Sequence, residues 1–211
     1  MTCLVQFSNN HLDAISYHED NRTTMPTTID DAEIHQIVEN VVHQALGIGE
    51  RGQPSAVSSS TKKTVAIGAD HGGFELKEAL KAEVSTLGFE VMDVGTVSKE
   101  AVDYPDFAHA VAQSVGTGRA WRGIMIDGAG IGSCIVANKV PGVRAGMAYD
   151  ISSAINSREH NDTNVLTLGA GLIGVNLAKQ IVKTWLTTEF GGDRHTKRVN
   201  KIKAVERQYL K

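Results

Sequence analysis

The stretch "IMIDGAGIGSCIVANK", residues 124–139, decides the fold. Its first three residues form a short apolar run of the length and composition of a buried strand, and the run ends at Asp127. A loop with three glycines follows, and a helical pattern begins directly after it. Strand, glycine-rich turn and helix in succession are the repeating unit of parallel α/β sheets. The stretch also raises a question, because a carboxylate at the tip of a buried strand is costly unless it has partners.

The same unit recurs on both sides of this stretch. Strand-like runs are TVAIGA (64–69), FEVMDVG (89–95), GIMID (123–127), VRAGMA (143–148) and VLTLG (165–169). Helical patterns lie near 74–87, 105–115, 131–139, 151–158 and 174–188, and a last polar helix spans roughly 193–210. This alternation predicts a Rossmann-like, three-layer α/β/α domain over residues 63–211, with a five-stranded parallel sheet.

Composition excludes several classes of protein. The chain has 211 residues, of which 41% are hydrophobic and 21% charged, as in globular proteins. The net charge of −3, without a run of Lys or Arg, argues against a nucleic-acid partner. We find no apolar segment long enough for a membrane span or a signal peptide. Two cysteines, Cys3 and Cys134, fit a reducing cytoplasm, and no Cys/His spacing suggests a metal site.

The first 62 residues have a different character. Residues 1–28 are polar without a sustained period, and we expect them to be poorly ordered. Residues 29–47 carry one apolar stripe at steps of three and four, which predicts an amphipathic helix. Residues 48–62 read as a flexible Gly/Ser/Pro-containing linker. A short tethered helix cannot bury its stripe alone, so it must bind the body of the chain, a sister subunit or another protein.

Polar and charged side chains gather at the ends of the predicted strands. They are Asp70 and His71 after the first strand, Asp127 after the third, Tyr149 and Asp150 after the fourth, and His160, Asn161 and Asp162 before the fifth. In open parallel sheets ligands bind beyond the carboxyl ends of the strands. Further along, Arg194 and Arg198 are four residues apart, so on a helix they share a face that can hold a phosphate.

The glycine loop suits an anion. Glycines let the backbone approach a ligand closely, and the following helix offers free N–H groups to a phosphate or to an oxyanion formed during a reaction. The spacing is neither that of a Walker loop nor G-x-G-x-x-G. Many tight strand-to-helix turns contain glycines, so the loop alone leaves a purely structural turn open.

Several independent motifs, in order, carry a resemblance to a known family. The segments GADHGGFELKEAL, DYPDFA, GAGIGSCIVANKVPGVRA, SREHNDTNVLTLG and DRHTKRV resemble the ribose-5-phosphate isomerase B family, which includes the galactose-6-phosphate isomerase subunits. The resemblance covers residues 63–211 and leaves the first 62 aside. It implies a metal-independent and cofactor-independent enzyme that interconverts aldose and ketose phosphates by ring opening and an enediolate.

The resemblance also implies roles for individual residues. His160 is the expected ring-opening acid, and Asn161 the donor to the enediolate oxygens. The backbone N–H groups of the loop, Gly128, Ala129, Gly130, Ile131 and Gly132, are expected to form an anion cradle. Asp70 is expected to hold sugar hydroxyls, and His71, Arg194 and Arg198 the phosphate. Members are dimers or tetramers whose sites combine two subunits, so we expect a homodimer or homotetramer.

The sequence departs from the family at three positions of the loop. Many members have a cysteine as the base where this chain has Asp127, and a second version of the family uses a Glu where this chain has Ser133. Cysteine-containing members usually have Thr where this chain has Ala129. A carboxylate can abstract a proton next to a carbonyl, so we interpret Asp127 as the general base. The alternatives are that Asp127 caps the following helix, or that it marks a retired catalyst.

The expected reaction is therefore ribose 5-phosphate to ribulose 5-phosphate. Isomerisation of another four- to six-carbon sugar phosphate is an alternative, because Ala129 leaves more room and one fewer donor. A sugar-phosphate-binding or assembly protein without turnover is the other alternative.

Residues outside these motifs are given simpler interpretations. Cys134 is expected to be core rather than a relocated nucleophile, and Arg144 fits a structural partner as well as a ligand. His109 and His195 are expected to be surface residues of helices. The helix over 29–47 resembles the encapsulation peptides of bacterial microcompartments, so a location inside such a shell, or a bound scaffold, is the expectation for it. Its alternative role is packing on the oligomer.

Overall fold

A computed structural model of the chain describes residues 62–209. Five strands form one sheet: β1 (Thr64–Ala69), β2 (Glu90–Asp93), β3 (Arg122–Asp127), β4 (Ala145–Met147) and β5 (Val165–Gly169). Six helices lie within the described residues: α1 (Phe74–Thr86), α2 (Tyr104–Gly116), α3 (Ile131–Ala137), α4 (Ile151–Glu159), α5 (Val175–Thr187) and α6 (Asp193–Tyr209). None of these helices combines the length and apolarity that a bilayer crossing requires.

All neighbouring strands of the sheet are parallel, in the order β2-β1-β3-β5-β4. The three central strands are buried on both faces, as expected of a parallel sheet that is covered by helices. The carboxyl ends of β1 and β3 lie side by side, since Ala69 pairs with Ile126. The residues that follow these two strands therefore meet at one edge of the sheet, which we call the carboxyl edge.

Two separate hydrophobic clusters cover the two faces. Side chains of α1, α4 and α5 pack on one face, and those of α2 and α3 pack on the other. The long helix α6 contributes only His195 and Val199 to the buried residues of the described chain. The layers are thus helix, sheet and helix, and the predicted five-stranded α/β/α architecture is confirmed.

A buried arginine closes the opposite edge of the sheet, where the strands begin. Arg122 donates from Nη1 to the carbonyl oxygens of Trp185 (2.7 Å) and Leu186 (3.0 Å), near the end of α5. Its guanidinium lies 4.0 Å from the ring centroid of Trp121 and 5.2 Å from that of Trp185. Burial and the nearby Arg158 lower the pKa of Arg122 to about 10. We call this side of the sheet the amino edge.

A buried lysine holds the edge strand β2. Lys77 is 1% exposed, and its Nζ lies 2.7 and 2.9 Å from the two carboxylate oxygens of Asp93. Lys81 also donates to Asp93, at 2.7 Å. Burial alone would raise the pKa of Asp93, but the bonds from Lys77, Lys81 and the Gly95 N–H lower it below its ordinary value of 3.8. The ion pair therefore joins α1 to the end of β2.

The predicted elements differ from the observed ones mainly at their ends. The fourth strand is the clearest case: the pattern predicts 143–148, whereas the ladder covers Ala145–Met147. Arg144 precedes the strand and donates its N–H to the Asn164 side-chain oxygen at 2.7 Å. At this residue a hydrogen bond to a side chain thus takes the place of a hydrogen bond between strands. The predicted poorly ordered segment 1–28, the predicted helix over 29–47 and all but the last residue of the predicted linker over 48–62 lie outside the described residues.

Candidate functional site

Two carboxylates lie side by side at the carboxyl edge, one after β1 and one at the end of β3. Asp70 donates its backbone N–H to the Ile126 carbonyl (3.2 Å), which ties the two chain segments together. Its Oδ1 accepts the Gly73 N–H at 2.9 Å, ahead of α1. Asp70 and Asp127 are only 7% and 4% exposed. The predicted positions of both residues at this edge are confirmed.

Asp127 has a partner for each of its acceptor positions. Its Oδ1 accepts the N–H groups of Ala129 (2.8 Å) and Gly130. Its Oδ2 accepts the N–H of Ser133 (3.1 Å) and the Ser133 hydroxyl. A carboxylate offers about four lone-pair sites, so these four donors occupy them. This answers the question of how the chain places an acid at the tip of a buried strand.

The same contacts make Asp127 a cap for α3. Of the three N–H groups it accepts, that of Ser133 lies in the first turn of the helix and has no intrahelical acceptor, and those of Ala129 and Gly130 lie in the loop directly before it. The helix-cap interpretation of Asp127, one of the alternatives from the sequence, thus describes a contact that exists. It also means that the N–H groups of Ala129 and Gly130, which were assigned to the anion cradle, donate to the chain's own carboxylate.

The glycines of the loop have separate steric reasons. Gly130 has φ +79°, and a Cβ there would approach the Leu168 backbone at 3.0 Å. A Cβ at Gly132 would meet the ring of Tyr104 at 2.5 Å. Tyr104 therefore lies against the loop, at the start of α2, and is 38% exposed. The sequence does not indicate this aromatic neighbour of the loop, although Tyr104 lies within DYPDFA, one of the segments that resemble the family.

His71 lies at the same edge, on the surface. Its Nδ1 is 3.1 Å from the carbonyl oxygen of Val102 and 3.2 Å from the nitrogen of the same residue. The ring is therefore held against the segment that leads into α2. Asp70, His71, Asp127 and the glycine loop form one group, which we call the carboxyl-edge group.

The remaining predicted residues form a second group at the amino edge. His160 is the C-cap of α4, Asn161 follows it, and Arg194 and Arg198 lie on α6. His160, Arg194 and His195 line a cavity of about 770 Å³ together with Glu159, Thr188, Glu189, Gly191 and Asp193. The Nδ1 of His160 is 2.8 Å from the Asn156 side-chain nitrogen. We call His160, Asn161, Arg194 and Arg198 the amino-edge group.

The two groups lie at opposite ends of the strands within one chain. Gly123 pairs with Val165, and Asp127 pairs with Gly169. His160 and Asn161 precede Val165, so at least four strand residues, about 13 Å, separate them from Asp127 along the sheet. The structure thus brings His160 and Arg194 to one cavity, whereas Asn161 lines a different cavity with Asn156 and Arg144. A single copy does not bring the carboxyl-edge and amino-edge groups together.

One expectation about the amino edge is wrong. His195 was expected to be a surface residue, but it is 7% exposed and packs against His160, with the ring centroids 4.1 Å apart. Burial lowers the pKa of His195, and the nearby His160, Arg194 and Arg198 lower it further. Its spacing to the buried Val199 is that of a helix face. That spacing was the signal in the sequence that could have identified it. His109 is exposed, as expected.

Arg144, for which the sequence leaves two roles open, and Cys134, which is expected to be core, both have structural surroundings. Arg144 donates to the Asp162 carboxylate at 2.7 Å and to the Asp162 carbonyl at 2.8 Å, so it holds the turn before β5. Burial raises the pKa of the Cys134 thiol, although contacts with Thr167 and Asn138 act in the opposite direction. A thiol in such surroundings is a weak nucleophile. The Arg144 contacts fit the structural alternative, and Cys134 is half-buried rather than fully in the core.

Comparison with known proteins gives a consistent result over the described domain. The family model described as Ribose/Galactose Isomerase matches residues 65–202. Ribose-5-phosphate isomerase B of Escherichia coli K12 is 46% identical over 146 residues, which are 69% of this chain and 98% of that protein. The D-erythrulose-4-phosphate isomerase of Pectobacterium atrosepticum is 40% identical over 146 residues, 69% of this chain and 96% of that protein.

A solved structure agrees with these sequence matches. Ribose-5-phosphate isomerase B of Clostridium thermocellum superposes with a TM-score of 0.68 at 49% identity, covering 69% of this chain and 99% of that one. The matched share of this chain corresponds in extent to its α/β domain.

Proposed function

The chain belongs to the ribose/galactose isomerase family, and from this premise we propose that it is an aldose-ketose isomerase of sugar phosphates that converts ribose 5-phosphate to ribulose 5-phosphate. The observation that carries the proposal is identity of 46% and 49% to two ribose-5-phosphate isomerases B over nearly their whole length. The residues that the sequence assigns to the reaction lie in two groups, one at the carboxyl ends of the strands and one at their amino ends.

Asp127 is the proposed general base. Its position at the end of β3, beside Asp70, supports this role, because both face the edge at which parallel sheets bind ligands. A proton taken from the sugar would land on an oxygen that already accepts two hydrogen bonds. Transfer therefore requires a donor to turn away. Three of the four donors are backbone N–H groups, and the Ser133 hydroxyl is the one that can rotate.

The anion cradle of the proposal is smaller than the sequence suggested. Asp127 takes the N–H groups of Ala129, Gly130 and Ser133. The N–H groups of Ile131 and Gly132 belong to the first turn of α3, where no intrahelical acceptor exists. We assign these two groups to the enediolate oxygens, together with Asn161.

The complete site is proposed to contain two copies of the chain. The carboxyl-edge group of one copy would face the amino-edge group of another, so that Asp127 abstracts the proton, His160 opens the ring, and Arg194 and Arg198 bind the phosphate. The separation of the two groups by the length of the strands supports this arrangement. A homodimer is the smallest assembly that satisfies it, and a homotetramer satisfies it as well.

A four-carbon sugar phosphate is the second candidate substrate. Position 129 carries an alanine, and the Pectobacterium relative that matches over the whole domain is a D-erythrulose-4-phosphate isomerase. The Tyr149 hydroxyl donates to the Ala129 carbonyl at 3.1 Å, so a tyrosine also borders this part of the loop. A smaller side chain at 129 changes the room beside the substrate and leaves the proton transfer unaffected.

The N-terminal segment is proposed to recruit the enzyme. The amphipathic pattern over 29–47 and the linker over 48–62 support binding to a microcompartment shell or a scaffold in the cytoplasm, with 63–211 as the isomerase domain. Fusion of residues 1–62 to a fluorescent protein tests this in cells that build such shells. Punctate fluorescence is expected, and diffuse fluorescence would contradict the proposal.

The test of the activity is direct observation of the reaction. The full chain is incubated with ribose 5-phosphate, and with erythrose 4-phosphate and six-carbon aldose phosphates alongside, and the ketose product is followed by NMR. Turnover of ribose 5-phosphate above the others supports the first candidate, and preference for the four-carbon sugar supports the second. Binding of sugar phosphates without turnover of any would overturn the enzymatic proposal.

A further inference from the structure

The imidazole rings of His160 and His195 lie face to face, with centroids 4.1 Å apart and planes within 10° of each other. They belong to different elements, since His160 ends α4 and His195 lies in the first turn of α6. The backbone fixes this approach: the Gly191 N–H donates to the Glu159 carbonyl at 3.0 Å, immediately before α6. The stacking is therefore set by the path of the chain.

His195 has a second defined contact, with Arg194. The Arg194 Nε–H donates to the Nε2 of His195 at 3.2 Å. Guanidinium nitrogens only donate, so Nε2 must be the acceptor and the ring proton lies on Nδ1. While this bond exists, His195 is neutral and in a single tautomer.

The charges around the two rings also favour a neutral His195. Burial lowers the pKa of His195, and His160, Arg194 and Arg198 lower it further, whereas Glu159 alone among the contributing groups acts in the opposite direction. Two parallel imidazolium rings at this distance would repel each other. A positive charge on His195 is therefore opposed by its burial and by the cationic groups around it, and the ring is the neutral partner in the stack.

The Nδ1 atom of His195 argues against a purely packing role for this side chain. Its Nδ1 is buried without a hydrogen-bond partner among residues 62–209. A buried donor without an acceptor is destabilising, and an apolar side chain would avoid that loss. What only an imidazole supplies at this position is the combination of a flat ring against His160 and an acceptor for Arg194.

We propose that His195 is a positioning residue that holds the ring-opening acid His160 and the phosphate ligand Arg194 in one rigid arrangement. The inference rests on the proposed function, because His160 and Arg194 have those roles only in a sugar-phosphate isomerase. The stack fixes the plane of the His160 ring, and the acceptor nitrogen fixes the Arg194 guanidinium. His195 thereby couples phosphate binding to opening of the sugar ring.

Two substitutions separate the two contacts. His195→Phe keeps a flat ring for His160 and removes the acceptor for Arg194. His195→Gln keeps an acceptor at a similar distance from the backbone and removes the ring. The exposed His109 gives the matched controls, His109→Phe and His109→Gln, which change the same side chains on α2.

Two substrates distinguish a loss of ring opening from a loss of phosphate binding. Ribose 5-phosphate is cyclic and must be opened. Ribulose 5-phosphate cannot close a furanose ring, since its C5 oxygen is esterified, so exchange of its C1 proton with solvent measures proton transfer alone. We expect His195→Gln to lower kcat for ribose 5-phosphate by about tenfold or more while C1 exchange is unchanged. We expect His195→Phe to raise KM for both sugars by about tenfold with kcat retained.

A merely structural role gives a different pattern. In that case both variants lose aldose conversion and ketose exchange in the same proportion, following their loss of thermal stability, and the proposal is overturned. The His109 variants should leave the kinetic constants for ribose 5-phosphate and the C1 exchange of ribulose 5-phosphate unchanged.

Histidine NMR supplies a readout that needs no turnover. In the full-length wild type we expect a neutral Nδ1–H tautomer for His195 at pH 7 and an upfield ring-current shift of the His160 ring protons, retained in His195→Phe and lost in His195→Gln. A charged His195 at pH 7, or no ring-current shift, would overturn the proposal. If the wild type shows these signatures but isomerises no sugar phosphate, the proposed function fails and the positioning of His160 stands.

Discussion

Ser133 donates both its backbone N–H and its hydroxyl to one oxygen of Asp127, and both side chains are buried. Some members of the family have a glutamate base at the position of Ser133. In this chain Ser133 is not a base but a hydrogen-bond donor to Asp127. Of the four donors that hold the Asp127 carboxylate among the described residues, its hydroxyl is the one that can rotate. The two residues therefore form a unit, and their effects should not be additive.

Ser133→Ala should lower the free energy of unfolding by about 2 kcal/mol, because a buried hydrogen bond to a charged group is lost. Ser157→Ala is the matched control, since Ser157 is also buried and its hydroxyl donates to the neutral Ala154 carbonyl at 2.9 Å; its loss should be about 1 kcal/mol or less. Urea unfolding measures both.

The same substitution tests the coupling to catalysis. We expect kcat of Ser133→Ala to stay within about threefold of wild type, because the base no longer has to release this donor before it accepts a proton. In the Asp127→Asn background the stability effect of Ser133→Ala should shrink by about 1 kcal/mol or more. Full additivity in this double-mutant cycle would show that the two side chains act independently.

Asp127→Asn should lower kcat by about 100-fold or more, since the shape of the side chain is kept and the proton acceptor is removed. Asp150→Asn is the control for helix capping: Asp150 begins α4 and accepts the Ser153 N–H at 2.6 Å. The control should lose stability only slightly, because asparagine caps a helix nearly as well as aspartate, and it should keep activity. An Asp127→Asn variant that behaves like the control, with reduced stability and wild-type kcat, would leave Asp127 as a cap alone.

Subunit mixing tests the two-copy site. Asp127→Asn and His160→Gln subunits are each expected to form inactive homomers, but a co-purified mixed dimer retains one site with both native residues. It should recover about half of the wild-type kcat. The matched control pairs Asp127→Asn with Asp70→Asn; both changes lie in the carboxyl-edge group, so every site of that mixed dimer stays damaged. Equal recovery in the two mixtures, or none in the first, would contradict a shared site.

Acid stability should depend on Asp93. Because its pKa is lower in the folded chain than its ordinary value of 3.8, the carboxylate stabilises the fold above that pH. This contribution is lost as the pH falls below 3.8 and through the lower folded value. Asp93→Asn removes this partner of the buried Lys77, which keeps Glu78 at 3.1 Å; because Asp93 is partly exposed to solvent, the free energy of unfolding at pH 7 should fall by about 1–2 kcal/mol.

The pH dependence distinguishes this ion pair from simple packing. The difference between wild type and Asp93→Asn should narrow as the pH is lowered from 5 towards 2.5, in urea titrations at each pH. Glu90→Gln is the control, since Glu90 lies on the same strand and is exposed, and it should change stability little at any pH. A constant difference across this range would refute the ionic origin of the effect.

The order of strands and helices could be predicted because each buried strand is a short apolar run bounded by Gly or Asp. The positions of Asp70 and Asp127 followed from the same reasoning, since parallel strands end at one edge. The four donors of Asp127 could not be predicted, because they depend on how the loop turns around Gly130. The burial of His195 has a sequence signal in its four-residue spacing to Val199, but its stacking on His160 could not be predicted, because it depends on the short segment that brings α6 against the end of α4.

Both tryptophans of the chain, Trp121 and Trp185, contact the guanidinium of Arg122 at the amino edge. Trp121 also stacks on Phe89, with centroids 5.5 Å apart. All of the indole emission of this protein therefore originates at one end of the sheet, the end that carries His160 and Arg194. Intrinsic fluorescence is thus a one-sided optical reporter. It should respond to a phosphate or a neighbouring subunit arriving at that end and be nearly silent to rearrangements of the glycine loop at the other.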